Sequence, residues 1–136
     1  VLPSAPYSAV MNARDAEFVK YAGNSFLFTK VMYMNMLFDL VHAMEGNWGS
    51  IKEAIGNDPR IGLSHLEPLH KGGRGAGGHC FIKDFEAYRR MYESLVKDPY
   101  GNAILEAEAY KNIQLLVQSN KDMDLLEGVY GDLSKY

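Results

Sequence analysis

One cysteine stands among 136 residues. That count excludes an internal disulfide framework and a multi-cysteine metal site. A reducing, cytoplasmic setting is the expectation that goes with it. Charge of one sign is not in excess either: 14 basic against 17 acidic side chains leave a net charge of −3. Neither nucleic acid nor an anionic membrane is therefore expected as a partner. The opening residues lack a basic segment followed by a long apolar run, so no signal peptide is read there. The most apolar stretch, Phe26 to Val41, is interrupted by Thr29, Lys30, Asn35 and Asp39 and does not read as a membrane span. His42, His65, His70 and His79 lack the close paired spacing of a zinc motif, and no metal is expected. No alternating strand pattern and no internal repeat stand out.

What is present reads as one helical domain. With 47% hydrophobic and 23% charged residues, the chain has the composition of an ordinary globular protein. Residues 1–11, with Pro3 and Pro6, read as an extended lead-in; without an initial Met, the chain resembles a piece of something longer. From about Asn12 the apolar spacing turns helical and runs to about Glu45, where Gly46-Asn47 is a stop signal. Beyond Phe26 this stretch is apolar nearly all round, the mark of a buried helix. At 1.5 Å per residue it would span roughly 45–50 Å, more than a compact domain of this size is wide. A helix so long is expected to be shared with a partner.

Shorter elements follow. Ser50 to Ile55 reads as a helix and Asp58 to His79 as a long loop. A helix is expected from about Ile82 to Val96, a turn at Asp98-Pro99-Tyr100-Gly101-Asn102, and a helix from Ala103 to Ser119. The domain is thus placed at 12–121, with 122–136 as a polar, weakly structured tail holding at most one turn around Leu125. The fold class expected is all-α.

The stretch Gly72-Gly73-Arg74-Gly75-Ala76-Gly77-Gly78-His79-Cys80-Phe81-Ile82-Lys83-Asp84 holds the most chemistry. A loop with few side chains delivers the thiol to the start of a helix, with a carboxylate four residues later. A helix N-terminus favours the thiolate form of a cysteine. The same stretch also reads as a surface loop followed by a packed core cysteine, and alone it leaves both readings open. Gly73 to Gly78 fits the letters G-x-G-x-x-G, but Glu67-Pro68-Leu69-His70-Lys71 is no apolar strand. No dinucleotide site is expected there. Glu17, Lys20 and Asn24 share one side of the first helix, and Asp58-Pro59-Arg60-Ile61-Gly62 displays an arginine on a turn. Alone, these read as a solvated polar stripe and a surface salt bridge. Met32, Met34 and Met36 read as core packing.

Together the residues resemble one pattern. Glu17-Phe18-Val19-Lys20-Tyr21-Ala22-Gly23-Asn24-Ser25-Phe26-Leu27 resembles the A-E-x-x-K-x-x-x-N-x-x-L helix of the UDP-glucose/GDP-mannose dehydrogenase family. Asp58-Pro59-Arg60-Ile61-Gly62 resembles its D-x-R-I-G turn, and Gly77-Gly78-His79-Cys80-Phe81-Ile82-Lys83-Asp84 its G-G-x-C-x-x-K-D segment. The three motifs keep the family's order over about Asp15 to Tyr88. Departures are a somewhat longer loop before Cys80, Ala76 where an aromatic residue is common, His79 for a small residue, and Ile82 for Pro or Gln.

The resemblance implies the family's central domain. Its fold is a long buried helix with shorter packed helices, similar to the C-terminal helical domain of the 6-phosphogluconate-dehydrogenase-like group. Such enzymes oxidise the C6 alcohol of a nucleotide sugar to a carboxylate with two NAD⁺, supplying polysaccharide biosynthesis. By resemblance, Cys80 is the nucleophile that attacks the intermediate aldehyde and carries the thioester. Lys20 would stabilise the oxyanion, Asn24 would orient substrate or water, and Asp84 would position or deprotonate water. Arg60, Leu66, Gly77 and Gly78 would bind substrate, Arg60 across a homodimer interface built on the long helix; Lys83 would face the cofactor. NAD would be held by a Rossmann-like domain absent from this chain, leaving the chain alone inactive. A stand-alone helical dimerisation module without redox activity and a nicotinamide-independent acyl-transfer enzyme are the rival readings.

Overall fold

The computed structural model describes residues 4–136. The first three residues of the expected lead-in lie outside the described residues; residues 4–12 are exposed and form neither helix nor strand. Then follow α1 (Ala13–Ala43), α2 (Trp48–Gly56), β1 (Leu69–His70), β2 (Gly73–Arg74), α3 (Gly78–Leu95), α4 (Pro99–Gln118) and α5 (Met123–Tyr130). A 3-10 turn, Leu133–Lys135, comes last. The fold is all-α apart from one two-residue strand pair.

The 31 residues of α1 extend about 46 Å. Its start is set by Asn12, whose side chain accepts the Asp15 N–H at 2.9 Å, and Asp15 itself complements the positive helix end. Its end is a Schellman turn: Glu45 takes φ 56°, and Gly46 N–H donates to the Val41 carbonyl at 2.8 Å. The helix is not buried all round. Phe28, Met32 and Asn35 are fully enclosed, whereas Phe26, Tyr33, Met36 and Leu40 are each at least half exposed on the opposite side. Those four fall on one stripe at the spacings 7, 3 and 4, a seam rather than a core face.

The core forms where α1 lies against α3 and both meet α4. Phe28 and Phe85 stack with ring centroids 3.8 Å apart and planes 9° from parallel. Val31, Met32, Ala76, Ala109 and Leu115 surround them. Burying each ring contributes about 1.5–3 kcal/mol.

Three boundaries differ from the reading of the sequence. α4 begins at Pro99, not Ala103, because Asp98 caps it and a proline is tolerated in the first turn. α3 begins at Gly78, four residues before Ile82, so Cys80 lies inside the first turn. The segment expected as a polar tail carries α5, whose Leu126 is fully buried against Ile82, Ile113 and Leu116. Its polar count misled because two turns of amphipathic helix need only a few apolar residues. Glu86 helps to anchor this region. Burial opposes its charge, but hydrogen bonds from Arg89 and Arg90 outweigh that and hold its carboxyl below the usual range.

The loop between α2 and α3 is not structureless. Leu69 pairs with Arg74 and His70 with Gly73, joined by Lys71 at φ 51° and Gly72 at φ 82°. Positive φ at both central residues is the signature of a type I′ hairpin.

Removing the central ring tests this account. Phe85→Ala should cost about 3–5 kcal/mol in urea unfolding. A loss below about 1 kcal/mol would mean that the α1–α3 contact is not the core.

Candidate functional site

Two helices bring the sequence-chosen residues together. Lys20 and Asn24 lie one turn apart on α1, and Cys80 and Asp84 one turn apart on α3. The Asn24 amide donates to Asp84 Oδ2 at 2.6 Å. Lys20 Nζ stands 3.4 Å from the same oxygen, with its side chain 62% exposed and that of Asp84 10% exposed. One carboxylate oxygen thus holds an amide and an ammonium from the neighbouring helix. Cys80 is a free, exposed thiol on the preceding turn of α3. The bland alternative of a packed core cysteine is excluded by that exposure.

The remaining residues divide. Leu66, Gly77 and Gly78 line a cavity of about 530 Å³, together with His65, Phe81 and Lys121 among others. Leu66 is buried in its wall. His65 meets the edge of Phe81 at 5.6 Å; desolvation first, then the charges of Lys30 and His70, pull its imidazole below the ordinary value. Arg60 is not in this group. It folds back on Asp58 through a guanidinium contact of 2.6 Å, its side chain 87% exposed. Lys83 is exposed on α3.

Residues that the sequence reading missed hold the glycine loop. The Asn112 side chain accepts Ala76 N–H at 2.7 Å and donates to the Ala76 carbonyl at 3.0 Å. Arg74 reaches Asn35 Oδ1 at 2.9 Å and Asp39 at 2.8 Å. Lys121 and Asp122 bond the loop backbone from beyond α4. Asn35 alone carried a signal, as a polar residue inside the apolar stretch Phe26–Val41; Lys121 and Asp122 lie in the polar run Gln118 to Asp122, where nothing marks them out.

The run from Gly73 to Gly78 is not arranged as a phosphate-binding loop. A phosphate-binding glycine loop needs free backbone N–H groups, and those of Arg74, Ala76 and Gly78 are already bonded to Ser119, Asn112 and Asp122. Among the described residues, no cluster of three or more His, Cys, Asp or Glu could hold a metal ion. No helix there is long and apolar enough to cross a membrane.

The site thus presents an exposed thiol one helical turn from a lysine–carboxylate–amide cluster, in a helical domain. The comparisons agree with the motifs. Residues 14–112 match the profile described as UDP-glucose/GDP-mannose dehydrogenase family, central domain. The chain belongs to that family. It is 36% identical over 103 residues to a UDP-glucose 6-dehydrogenase of Pseudomonas aeruginosa, covering 76% of this chain and 21% of the relative. The Rickettsia conorii UDP-glucose 6-dehydrogenase is 39% identical over 79 residues, 58% of this chain and 17% of the relative. UDP-glucose 6-dehydrogenase TuaD of Bacillus subtilis is 35% identical over 83 residues, 61% of this chain and 17% of the relative. The alignments thus span only about a fifth of the length of these relatives.

The cluster predicts opposite effects at its two charged ends. Lys20→Ala should slow iodoacetamide alkylation of Cys80 at neutral pH, and Asp84→Asn should hasten it. Because Lys20 is largely exposed, each change should be modest, roughly two- to fivefold. An unmoved rate in Lys20→Ala would place the ammonium out of reach of the sulfur.

Proposed function

We propose that this chain is the central domain of an NAD-dependent nucleotide-sugar 6-dehydrogenase and supplies its nucleophile. The observation that carries the reading is the convergence of Lys20, Asn24 and Asp84 one helical turn from the exposed Cys80. Cys80 loses its thiol proton to solvent, its Sγ forms a bond to the C6 carbon of the intermediate aldehyde, and the carbonyl electron pair moves to oxygen. Lys20 stabilises that oxyanion, since a fixed cation aimed at developing charge lowers the barrier. NAD, where bound, supplies the two oxidations; Lys83 is the residue of this chain assigned to face it. At the thioester stage, water adds to the acyl carbon, the thiolate leaves, and the carboxylate is released. Asn24 holds substrate or water, and Asp84 positions that water or accepts its proton.

The cavity beside Phe81, lined by Leu66, Gly77 and Gly78, receives part of the nucleotide sugar. Arg60, on an exposed turn, reaches the substrate bound by a second copy. Its guanidinium suits a phosphate once it leaves Asp58. Competition with alkylation tests the reading. UDP-glucose should slow the reaction of Cys80 with iodoacetamide several-fold, and GDP-mannose in the parallel arm reports the preference between the two nucleotide sugars. If neither nucleotide sugar protects the thiol, the substrate class is wrong.

The dimer rests on a separate observation. Phe26, Tyr33, Met36 and Leu40 form an uncovered seam along α1, extended by Phe18 and Met44. Soluble monomers rarely leave so continuous an apolar patch open. A second α1 is its natural cover, with facing residues repeating at heptad spacing. Light scattering should give a dimer at micromolar concentration, and Leu40→Glu should shift it to monomer. A monomeric unaltered chain would refute the interface.

A further inference from the structure

The loop that delivers the thiol is bonded backbone atom by backbone atom to one corner of the fold. Ser119 Oγ accepts Arg74 N–H at 2.9 Å. Lys121 Nζ donates to the Gly75 carbonyl at 3.1 Å and lies 3.4 Å from that of Gly73. Asn112 takes both backbone groups of Ala76. Asp122 Oδ2 accepts Gly78 N–H at 2.8 Å, two residues before Cys80 in the first turn of α3. Gly77 has no such bond among the described residues, and there a Cβ would strike Asp122 Oδ2, with Lys121 Cε at 2.9 Å. The corner and the loop are therefore in van der Waals contact as well.

The corner is shaped to hold the loop. α4 ends in a Schellman turn, with Lys121 N–H on the Leu116 carbonyl at 2.9 Å and Asn120 N–H on that of Val117 at 3.0 Å. Asn120 and Asp122 both take left-handed φ, 50° and 52°. Strained backbone of this kind persists only where its surroundings hold it. Between them Lys121 is 8% exposed, although a lysine is almost never buried without partners. Its partners are the loop carbonyls, and burial first, then Lys71, lowers its pKa against the pull of Asp122. Ser119, Lys121 and Asp122 all lie beyond residues 14–112, the part that matches the family profile.

We propose that Lys121, with Asn112, Ser119 and Asp122, is the positioning device of the nucleophile. By pinning residues 73–78 it fixes where α3 starts, and so sets Cys80 on the face that meets Lys20 and Asn24. The group does not touch the reacting atoms; it acts through the loop. The inference rests on the functional reading above only in calling Cys80 the nucleophile.

The test uses the 136-residue chain with Lys121→Met, Lys121→Arg and Gly77→Ala. Amide hydrogen exchange at Ala76 and Gly78 and alkylation of Cys80 by iodoacetamide are measured together. Lys121→Met should raise exchange at both amides about tenfold, the equivalent of one lost hydrogen bond to a buried group, and should slow alkylation. Lys121→Arg should restore both readouts. Gly77→Ala should reproduce the loosening without deleting any polar group, and it decides the matter if Lys121→Met does not fold. Unchanged exchange and alkylation overturn the proposal, as does an equal rise in exchange throughout α3 and α4, which would make Lys121 a residue of global stability. A thiol in the unaltered chain no faster than an ordinary cysteine counts against the functional reading instead, while exchange at Ala76 and Gly78 still decides the clamp.

Discussion

The contact on which the rest depends is the stack of Phe28 on Phe85. It fixes α1 against α3 at a point one turn from Asn24 and one residue from Asp84. Two helices that touch through interlocked side chains have few alternative registers, because the interior is packed as densely as a crystal. Once the rings are seated, Asn24 must fall opposite Asp84, and Lys20 a turn further along. The polar cluster is thus placed by an apolar contact. Its own bonds are too weak to set the register, since a surface ion pair such as Lys20–Asp84 contributes about 0–1 kcal/mol, against several for the rings.

That division of labour explains what could be read in the sequence. Lys20, Asn24, Cys80 and Asp84 were singled out through the family resemblance, not by spacing alone; the structure adds that Lys20 and Asn24 meet Asp84. The all-α class was legible because the apolar spacing is helical almost throughout. The two sides of α1 were not. Phe28 and Phe26 are equally apolar as letters, yet one is fully buried and the other largely exposed. Only the position of α3 and α4 decides which side is core. Asn112, Lys121 and Asp122 were illegible for a related reason. A buried polar residue and a solvated one look alike until the partner that satisfies it is located, and here the partner is backbone some 36 to 48 residues away in sequence.

The uncovered side of α1 carries its own argument. The first-turn cap at Asn12 and the Schellman turn at Gly46 both stabilise helix ends, but neither accounts for 31 residues without a break. A helix of that length in a small domain has most of its surface away from the core. Phe26, Tyr33, Met36 and Leu40 occupy that surface at seam spacing, where polar residues would have served a monomer better. Thr29, on the same stripe, instead donates its hydroxyl to Glu108 of α4 at 2.8 Å. Burial raises the Glu108 carboxyl above its usual range despite that bond. Further burial would only add to the desolvation cost of that carboxylate, so the case for a cover over this side of α1 rests on the apolar stripe itself.

Glycine-rich loops are usually associated with mobility, and the segment from Gly72 to Gly78 argues otherwise. Glycine has more backbone freedom to lose than any other residue, so ordering such a run is expensive. The fold offsets that cost by bonding the backbone directly, from Ser119, Lys121, Asn112 and Asp122. Side chains on the loop would block that approach, as a Cβ at Gly73 shows by meeting Ser119 Cβ at 2.6 Å. Gly73, Gly75 and Gly77 are therefore not there to let the loop move; they let the corner grip it closely enough that the helix bearing Cys80 starts in one place, whereas Gly72 and Gly78, at φ 82°, serve the turns.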